Sequence, residues 1–362
     1  MIRIAIFGDT CPIENKEPLR LSMDADYILG NLECALTDNP KPVKKAGPVL
    51  FNPTSVALYL KSVGFDSVNL ANNHIRDCGD EGVLSTIDAC EKVGIKTFGA
   101  GKTVDKAAEP LVIDRNGTRV SVLSFAEKEF NFVCEGKAGA IAFDPYDSFD
   151  RITEAKKTSD VVIVLYHGGI EHFVYPSPEL QRKCRKMVES GADVVLCQHS
   201  HCIGTRERYQ GGEILYGQGN SVFGFRKGND AWNHGLLAKI SVSDQGVEVK
   251  YDALETDENG FVSFATKSKS REIIERLYRE SAKIQSLEFV KEQWLKFCRM
   301  QKAMYMPMLY GWGTNTNRLN RLLHNKLIDL FYSRQQKNVT HNLIRCDAHR
   351  EVVETLLGEE DY

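Results

Sequence analysis

Residues 162–173 read VIVLYHGGIEHF, and residues 194–201 read VVLCQHSH. Each stretch is a short, β-branched apolar run that ends at histidine, which is typical of a buried parallel strand. Open α/β sheets bind ligands at the carboxyl ends of their strands, so His167, His199 and His201 are predicted to face one crevice. Neutral imidazole is the commonest side chain that holds a transition metal. The alternative is three unrelated polar residues that close loops, but three such histidines among the nine in the chain favour a shared metal site.

The bulk composition is that of a globular protein. The chain has 362 residues, of which 42% are hydrophobic and 26% charged, and it contains no apolar run of about 18 residues that would predict a membrane span. The opening MIRIAIFGDT turns polar too soon for a signal peptide. Ten cysteines without CxxC pairs indicate reduced thiols. We therefore expect a soluble, cytoplasmic protein.

Charge is distributed unevenly along the chain. The net charge of −3 combines −8 over residues 1–266 with +10 over residues 267–350, and the last twelve residues, EVVETLLGEEDY, carry five acids and no base. A basic segment beside an acidic core predicts either attraction to an anionic partner or docking of the segment on the core.

Strand and helix patterns alternate over most of the chain, which predicts an α/β fold with helices on both faces of the sheet. Strands are expected at IRIAIFGD, YILGNLE and DSVNLANNH, the last one covering residues 66–74. From about residue 268 the pattern becomes helical, aromatic and basic. We predict a main domain at 1–260, a basic helical C-terminal subdomain at 268–350 and an acidic tail at 351–362.

The predicted strand ends collect a set of metal-ligating side chains. Two carboxylates, a carboxamide and imidazoles suit two divalent cations such as Mn, Fe or Zn, with Glu33 as a candidate bridge. His74 directly follows Asn73, so the two side chains diverge, and His74 is free to protonate a leaving oxygen. The metal candidates are Asp9, Glu33, Asn73, His167, His199 and His201.

Purely structural interpretations also exist for the same residues. Asp9 and Asn73 are also common turn residues, whereas a carboxylate that ends an apolar run, as Glu33 does, usually needs a partner. Glu171 and His172 lie just past the strand that ends at His167, and Asn220 lies within the segment YGQGNSVF. All three are candidate substrate contacts.

Eight separated motifs carry a family resemblance over roughly residues 1–255. They are GDT (8–10), NLE (31–33), NLANNH (69–74), GAG (99–101), HGGIEHFVYPSPELQ (167–181), GADVV (191–195), QHSH (198–201) and YGQGNSVF (216–223). In this order they resemble the CapA family, named for capsule and poly-γ-glutamate biosynthesis, which is similar in turn to the calcineurin-like metallophosphoesterases. The resemblance implies a four-layer α/β/β/α sandwich with a dinuclear metal site, in which the six metal candidates hold the ions and His74 is the catalytic histidine.

Besides Glu33, which stands in place of the bridging aspartate of the metallophosphoesterases, two positions depart from their pattern. The usual Asp-x-His opening has Cys11 in place of the histidine, and the usual GHxH appears as QHSH, with Gln198 in place of the glycine. Cys11 is therefore a further candidate ligand, because a metal deprotonates a coordinating thiol. The alternative is that Cys11 only packs.

Several functions are compatible with this set of residues. The first is a metal-dependent hydrolase that uses metal-hydroxide attack on a phosphoester during the synthesis of a capsule or other surface polymer, with an anionic small-molecule or polymer substrate. A γ-glutamyl amide hydrolase would use the same residues. A non-catalytic accessory subunit of a polymer synthase is the third hypothesis, because function belongs to the site and not to the fold.

A nucleic-acid phosphodiesterase is the runner-up. Trp294, Phe297, Tyr305, Tyr310 and Trp312 lie among the basic residues of the C-terminal segment, a mixture that binds single strands in other proteins. The same aromatics also suit helices that pack on a core, and we favour that interpretation over a nucleic-acid partner.

Overall fold

The structure, a computed structural model, describes residues 1–12, 19, 21, 23–45, 47–115, 117–312, 314–323 and 326–358. The chain divides into two compact units, Met1–Trp294 and Leu295–Tyr362. Residues 359–362 of the predicted acidic tail lie outside the described residues.

The strands and helices follow one another in near-alternation through the first unit. The strands are β1 (Ile2–Thr10), β2 (Tyr27–Leu32), β3 (Ala35–Leu36), β4 (Phe51–Asn52), β5 (Ser67–Asn69), β6 (Lys96–Phe98), β7 (Ala100–Gly101), β8 (Leu111–Arg115), β9 (Thr118–Ala126), β10 (Gly139–Ala140), β11 (Val161–His167), β12 (Val194–Gln198), β13 (Arg206–Tyr209), β14 (Gly212–Leu215), β15 (Asn220–Val222), β16 (His234–Ser243), β17 (Gly246–Thr256) and β18 (Val262–Phe264). The helices are α1 (Val56–Ser62), α2 (Gly79–Lys92), α3 (Val104–Ala108), α4 (Ser148–Thr158), α5 (Pro178–Glu189), α6 (Lys267–Lys283), α7 (Leu287–Leu309), α8 (Thr314–Leu322), α9 (Lys326–Phe331), α10 (Arg334–Arg345) and α11 (Asp347–Gly358).

Two mixed sheets form the centre of the first unit. One has the strand order β18-β17-β16-β1-β2-β5-β6, with β15 also paired to β1, and the other has the order β13-β14-β12-β11-β9-β8. The strands β1, β2, β5 and β6 are mutually parallel, as are β9, β11, β12 and β14. Parallel strands are buried on both faces, which explains their continuous apolar sequences.

The core between the two sheets is built from alternate residues of their strands. Ile4 and Ile6 of β1 belong to one buried cluster with Ile163 and Leu165 of β11 and Leu196 of β12. The other residues of these strands face outward, and their second cluster includes apolar residues of α1 and α2 on the first sheet and of α4 and α5 on the second. The result is the predicted four-layer α/β/β/α sandwich.

The strand β5 is shorter than the predicted strand at 66–74, because it ends at Asn69. The Asn69 side-chain oxygen accepts a hydrogen bond from the Ala71 amide at 2.9 Å, and the Asn72 amide donates to the Leu70 carbonyl at 3.0 Å. Asparagine side chains that bind their own backbone in this way replace the strand ladder with a turn. The turn places Asn73 and His74 beyond the end of the sheet.

The second unit is helical from the end of α7 through α11, in keeping with the predicted change of pattern. The predicted domain boundary near residue 260 remains a prediction beside the division after Trp294. Within the described parts of the chain, no helix is both long enough and apolar enough to cross a bilayer.

Candidate metal centre

The carboxyl ends of the central strands of both sheets meet at one place. Asp9 lies near the end of β1, and Glu33 directly follows β2. His167 ends β11, and His199 follows β12. The Asp9 carboxylate accepts a hydrogen bond from the His199 amide at 2.9 Å, which joins the two sheets across 190 positions.

Close approach of the backbone at this edge requires glycine. A Cβ atom at Gly8 would lie 2.5 Å from the Gly219 carbonyl oxygen of the neighbouring segment. The register between β1 and β2 also shifts between Phe7 and Asp9. Such an irregularity re-aims the side chain that follows it.

Two groups of buried side chains can each hold a metal ion, and Glu33 belongs to both. Ligand atoms of Glu33, His167 and His199 lie within 4.8 Å of one another, and the same limit holds for Asp9, Glu33 and His201. All five side chains are buried.

The surroundings of the Glu33 carboxylate indicate most clearly that a counter-charge is missing from this cluster. Neither of its oxygens has a hydrogen-bond partner among the described residues, although the side chain is 0% exposed. Burial, and then the charge of Asp9, raises the pKa of Glu33 well above its usual range. A buried carboxylate without donors is costly, and a divalent cation would supply the missing counter-charge. The cluster is therefore compatible with divalent metals.

The histidines are held in the form that binds metal. Burial, and then the neighbouring His201, lowers the pKa of His199 to about 3, and burial with His199 lowers that of His167 well below its usual range. Both rings are therefore neutral near pH 7, as a ligand must be. The Nδ1 atom of His199 is also buried without a partner among the described residues.

Backbone strain marks the same segment. His199 has φ +85° and His201 has φ +49°, in the left-handed region that non-glycine residues rarely adopt. Such conformations persist where the surrounding structure enforces them, often at functional sites. The His201 Nδ1 atom lies 2.8 Å from the Asn220 side-chain oxygen, so Nδ1 donates and Nε2 is left as the ligand atom.

Two asparagines complete the cluster. Asn73 Oδ1 lies 3.0 Å from His167 Nε2, so this predicted ligand is at the Glu33–His167–His199 group. Asn31 was not predicted as a site residue, although it lies within the NLE motif. Its side-chain nitrogen donates to Asp9 at 2.9 Å and lies 3.1 Å from His167 Nδ1. Its position two residues before Glu33, on the same face of β2, is the sequence signal that would have identified it.

His74 is buried beside the cluster in a charged network. Its Nδ1 atom lies 2.6 Å from Asp77 Oδ2, which also accepts the Leu50 amide at 2.6 Å. Lys45, with a side chain only 4% exposed, forms an ion pair with Asp77 and lies 3.3 Å from His74 Nδ1. The chain neighbour of His74, Asn73, contacts His167, which ties this network to the cluster. Sequence interpretation missed Asp77 and Lys45, although Asp77 is only three residues after His74.

The two departures from the phosphoesterase pattern lie in packed surroundings. The Asn52 side-chain nitrogen donates to the sulfur atoms of Cys11 and Cys34, both at 3.4 Å. A hydrogen bond with Cys34, and then burial, raises the pKa of Cys11, which favours the protonated thiol. Gln198 donates to the Phe7 carbonyl at 3.4 Å, a contact between the two sheets.

The three candidate substrate contacts differ in exposure. Glu171 and His172 are about half exposed, and the Glu171 carboxylate lies 3.8 Å from His172 Nε2. The His172 ring centroid lies 6.4 Å from that of His201. Asn220 is buried, and both of its polar atoms are engaged, with His201 and with the Trp232 carbonyl oxygen at 3.0 Å. A role for any of these residues in substrate binding remains a prediction.

Comparison with known proteins gives a consistent result. A family model described as "Bacterial capsule synthesis protein PGA_cap" matches residues 16–225. The chain is 32% identical over 204 residues to the PGA biosynthesis protein CapA of Bacillus subtilis (strain 168), which covers 55% of this chain and 53% of that protein. It is 30% identical over 240 residues to the capsule biosynthesis protein CapA of Bacillus anthracis, which covers 62% of this chain and 57% of that protein.

The chain thus spans about half the length of the curated relatives it matches. Among solved structures, a 5'-nucleotidase precursor from Thermus thermophilus aligns with a TM-score of 0.41 and 14% identity, over 79% of this chain and 60% of that chain.

Proposed function

Because this chain belongs to the bacterial capsule synthesis protein family, we propose that it is a metal-dependent hydrolase that acts in the synthesis of a capsule, poly-γ-glutamate or another surface polymer. The reaction is hydrolysis of a phosphoester in an anionic small molecule or polymer. The observation that carries this proposal is Glu33, a buried carboxylate without hydrogen-bond donors among the described residues that belongs to two ligand groups. The polymer context comes from the names of the relatives, which are biosynthesis proteins for PGA and for capsule.

In this proposal two divalent ions, of Mn, Fe or Zn, occupy the cluster. Glu33 would contribute to both positions, His167, His199 and Asn73 would hold one ion, and Asp9 and His201 would hold the other. When bound, ions of this kind act as Lewis acids toward a phosphoryl oxygen and lower the pKa of water. Cys11 is an additional candidate ligand, which requires that its thiol be deprotonated.

His74 moves the proton of the reaction. Its Nδ1 atom is held by Asp77, so Nε2 is the ring nitrogen left to act on the substrate. A water oxygen bonds to phosphorus, the ester P–O bond breaks, and His74 gives its proton to the leaving oxygen and recovers one from the water. Asp77 positions the ring, and Lys45 balances the charge of Asp77 in a site from which bulk water is excluded.

The same residues could hydrolyse a γ-glutamyl amide. A non-catalytic accessory subunit of a polymer synthase would use only the bound metals or the protein surface, without turnover. The two relatives are named for biosynthesis and not for hydrolysis, which is the observation that favours the accessory role. Measuring the turnover of a phosphoester and of an amide therefore distinguishes these proposals.

The test measures metal content and turnover in the same preparations. The substrates are bis-p-nitrophenyl phosphate and γ-glutamyl-p-nitroanilide, and the proteins are the wild type, His74→Ala and His341→Ala, a control at an exposed histidine of the second unit. We expect the wild type to cleave the phosphodiester, His74→Ala to keep its metal but lose about 100-fold or more in kcat, and His341→Ala to match the wild type.

Each other outcome has a defined meaning. Cleavage of the anilide alone would replace the phosphoester by an amide. Full metal content without turnover of either substrate would favour the accessory role. Equal kcat in His74→Ala and the wild type would remove His74 from its assigned role, and loss of metal in His74→Ala would make it a ligand or a structural support.

A further inference from the structure

An aromatic wall borders one side of the candidate metal centre. The ring centroid of His201 lies 4.8 Å from that of Phe223 and 4.9 Å from that of Trp232. Phe223 and Trp232 pack edge to face on each other, with centroids 5.3 Å apart. The Trp232 carbonyl oxygen accepts the Asn220 side chain, which also binds His201. The segment that carries the wall is therefore tied directly to a candidate metal ligand.

Arg226 lies on this wall. Its guanidinium carbon is 3.0 Å from the Trp232 ring centroid, a stacked arrangement that guanidinium groups favour over aromatic faces. The Asn233 side chain fixes the backbone below it, because its oxygen accepts the Arg226 amide and its nitrogen donates to the Arg226 carbonyl, both at 2.8 Å. Asn233 is buried. The arginine is therefore positioned from both its backbone and its side chain.

The N–H donors of this guanidinium form no hydrogen bond with an acceptor in the part of the chain that the structure describes. Arg226 is exposed and forms no ion pair with a carboxylate among the described residues. The acidic side chains of Glu171 and Asp230 instead lie 3.8 Å from His172 and 3.9 Å from Lys269. Exposed arginines elsewhere in the first unit, such as Arg182 and Arg271, pair with carboxylates of their own helices. Stacking on Trp232 satisfies the face of the guanidinium and leaves its N–H edge available for an anion.

Ring contacts place Arg226 beside the candidate metal centre, because Trp232, on which it stacks, lies 4.9 Å from the His201 ring and 6.2 Å from the His172 ring. Burial lowers the pKa of Arg226, and Glu171 acts in the opposite direction. The pKa of His172 is lowered mainly by burial, and the charges of His201 and Arg226 add to that effect. Arg226 and His172 therefore flank the same Trp232 ring, next to the candidate ligand His201.

We propose that Arg226, stacked on Trp232, binds a second oxyanion of the substrate beside the group that is hydrolysed at the Glu33 cluster. This inference rests on the proposed function and narrows its substrate class to molecules with two anionic groups. The second group is a carboxylate or a phosphate, because a guanidinium presents parallel N–H donors that match either one. A polymer or metabolite with a single negative charge would leave this arginine unused.

The test compares binding of three short ligands that differ only in the second group. They are phosphonates, whose P–C bond the protein cannot hydrolyse: 5-hydroxypentylphosphonate as the monophosphate analogue, pentane-1,5-bisphosphonate as the phosphate ligand, and 6-phosphonohexanoate as the carboxylate ligand. The flexible chain lets the second group reach Arg226. Dissociation constants are measured by calorimetry on the protein as purified, for the wild type, Arg226→Gln, Arg226→Lys and Lys227→Gln. The Lys227→Gln variant removes the same charge from an exposed neighbour.

We expect the wild type to bind at least one ligand that has two anionic groups about tenfold more tightly than the monophosphate analogue. Arg226→Gln should reduce this preference to less than about twofold without changing the affinity for the monophosphate analogue. Arg226→Lys should keep part of the preference, since it keeps the charge but not the planar fork. Lys227→Gln should keep all of it. Whether the carboxylate or the phosphate ligand is preferred identifies the second group.

Three results would overturn the inference: no preference in the wild type, a preference that survives Arg226→Gln, or equal losses in Arg226→Gln and Lys227→Gln. The readout is equilibrium binding, so it is independent of turnover. Absence of bis-p-nitrophenyl phosphate cleavage would count against the proposed hydrolase and leave the binding comparison to decide on Arg226.

Discussion

Glu33 and Asp77 are both buried carboxylates, and their surroundings are opposite. Asp77 has an ion pair with Lys45, a contact with His74 at 2.6 Å and the Leu50 amide at 2.6 Å. Glu33 has no hydrogen-bond donor among the described residues and has Asp9 as a neighbouring charge of the same sign. The described part of the chain supplies the counter-charge for one carboxylate and not for the other.

This difference separates two kinds of site. A buried charge must be compensated, and Asp77 is compensated by the fold itself. The charge of Glu33 is compensated only when a cation binds, and the neutral rings of His167 and His199 beside it are the form of histidine that binds cations. Asp77 therefore suits a positioning role that is complete once the protein folds, whereas the Glu33 region suits a role that begins with binding.

The largest expected effect contrasts the two carboxylates directly. Glu33→Gln should lower metal affinity by more than about 100-fold, because it removes a charged ligand shared by both groups. Asp77→Asn should retain the wild-type metal content and lose about 10–100-fold in kcat, because His74 loses its orientation. Elemental analysis after dialysis, with bis-p-nitrophenyl phosphate kinetics, measures both. Full occupancy in Glu33→Gln would reject the bridge.

An intermediate effect compares two lysines of one loop. Lys45→Met leaves Asp77 buried with its main counter-charge removed and should lower the free energy of unfolding by about 3 kcal/mol or more. Lys41 pairs with Glu81 at 2.7 Å on the surface, with side chains 61% and 69% exposed, so Lys41→Met should cost at most about 1 kcal/mol. Urea denaturation measures both.

The double variant Lys45→Met/Asp77→Asn serves as the control for this comparison. Removing both charges should recover much of the stability that Lys45→Met loses, since no uncompensated charge is left in the interior at this position. A double variant as unstable as the single one would show that Lys45 stabilises by packing and not by charge.

The smallest effect concerns pH in the presence of a chelator. His199 has a pKa of about 3 in the folded protein and about 6.5 when unfolded, so the folded state excludes the proton. Its contribution to stability is complete above about pH 6.5 and is lost as the pH falls toward 3. Between pH 7 and pH 5.5 the loss is on the order of 1 kcal/mol.

The raised pKa values of Asp9 and Glu33 act with the opposite sign, because protonation of a carboxyl favours the folded state as the pH falls. The informative quantity is therefore the difference between the wild type and His199→Gln at each pH, and not the slope of the wild type alone. The variant should lose less stability on acidification, and identical profiles would exclude a neutral, buried His199.

Much of the architecture was predictable from local patterns. The runs that end at His167 and at QHSH are buried strands, and the residues that follow them meet, because parallel strands share one edge. The strand at 66–74 was predicted too long, since asparagine side chains bind the backbone after Asn69 and end the ladder there. Hydrophobic pattern alone carries no information on that competition.

The importance of Lys45 and Arg226 was harder to predict from the sequence. Lys45 is one of three lysines in a proline-rich loop, and Arg226 is a charged residue between glycines, so both look like surface positions in the sequence. Burial against Asp77 in one case, and stacking on Trp232 in the other, gives them their importance.

The sequence by itself determined the strands, their alternation with helices, and the presence of ligand-type side chains at the strand ends, because these depend on the periodicity and chemistry of neighbouring residues. Only the tertiary structure decided which carboxylate has a counter-charge, which histidines are neutral and which arginine has unused donors. Those properties depend on burial and on distances between segments up to 190 positions apart, and both arise only when the two sheets pack together.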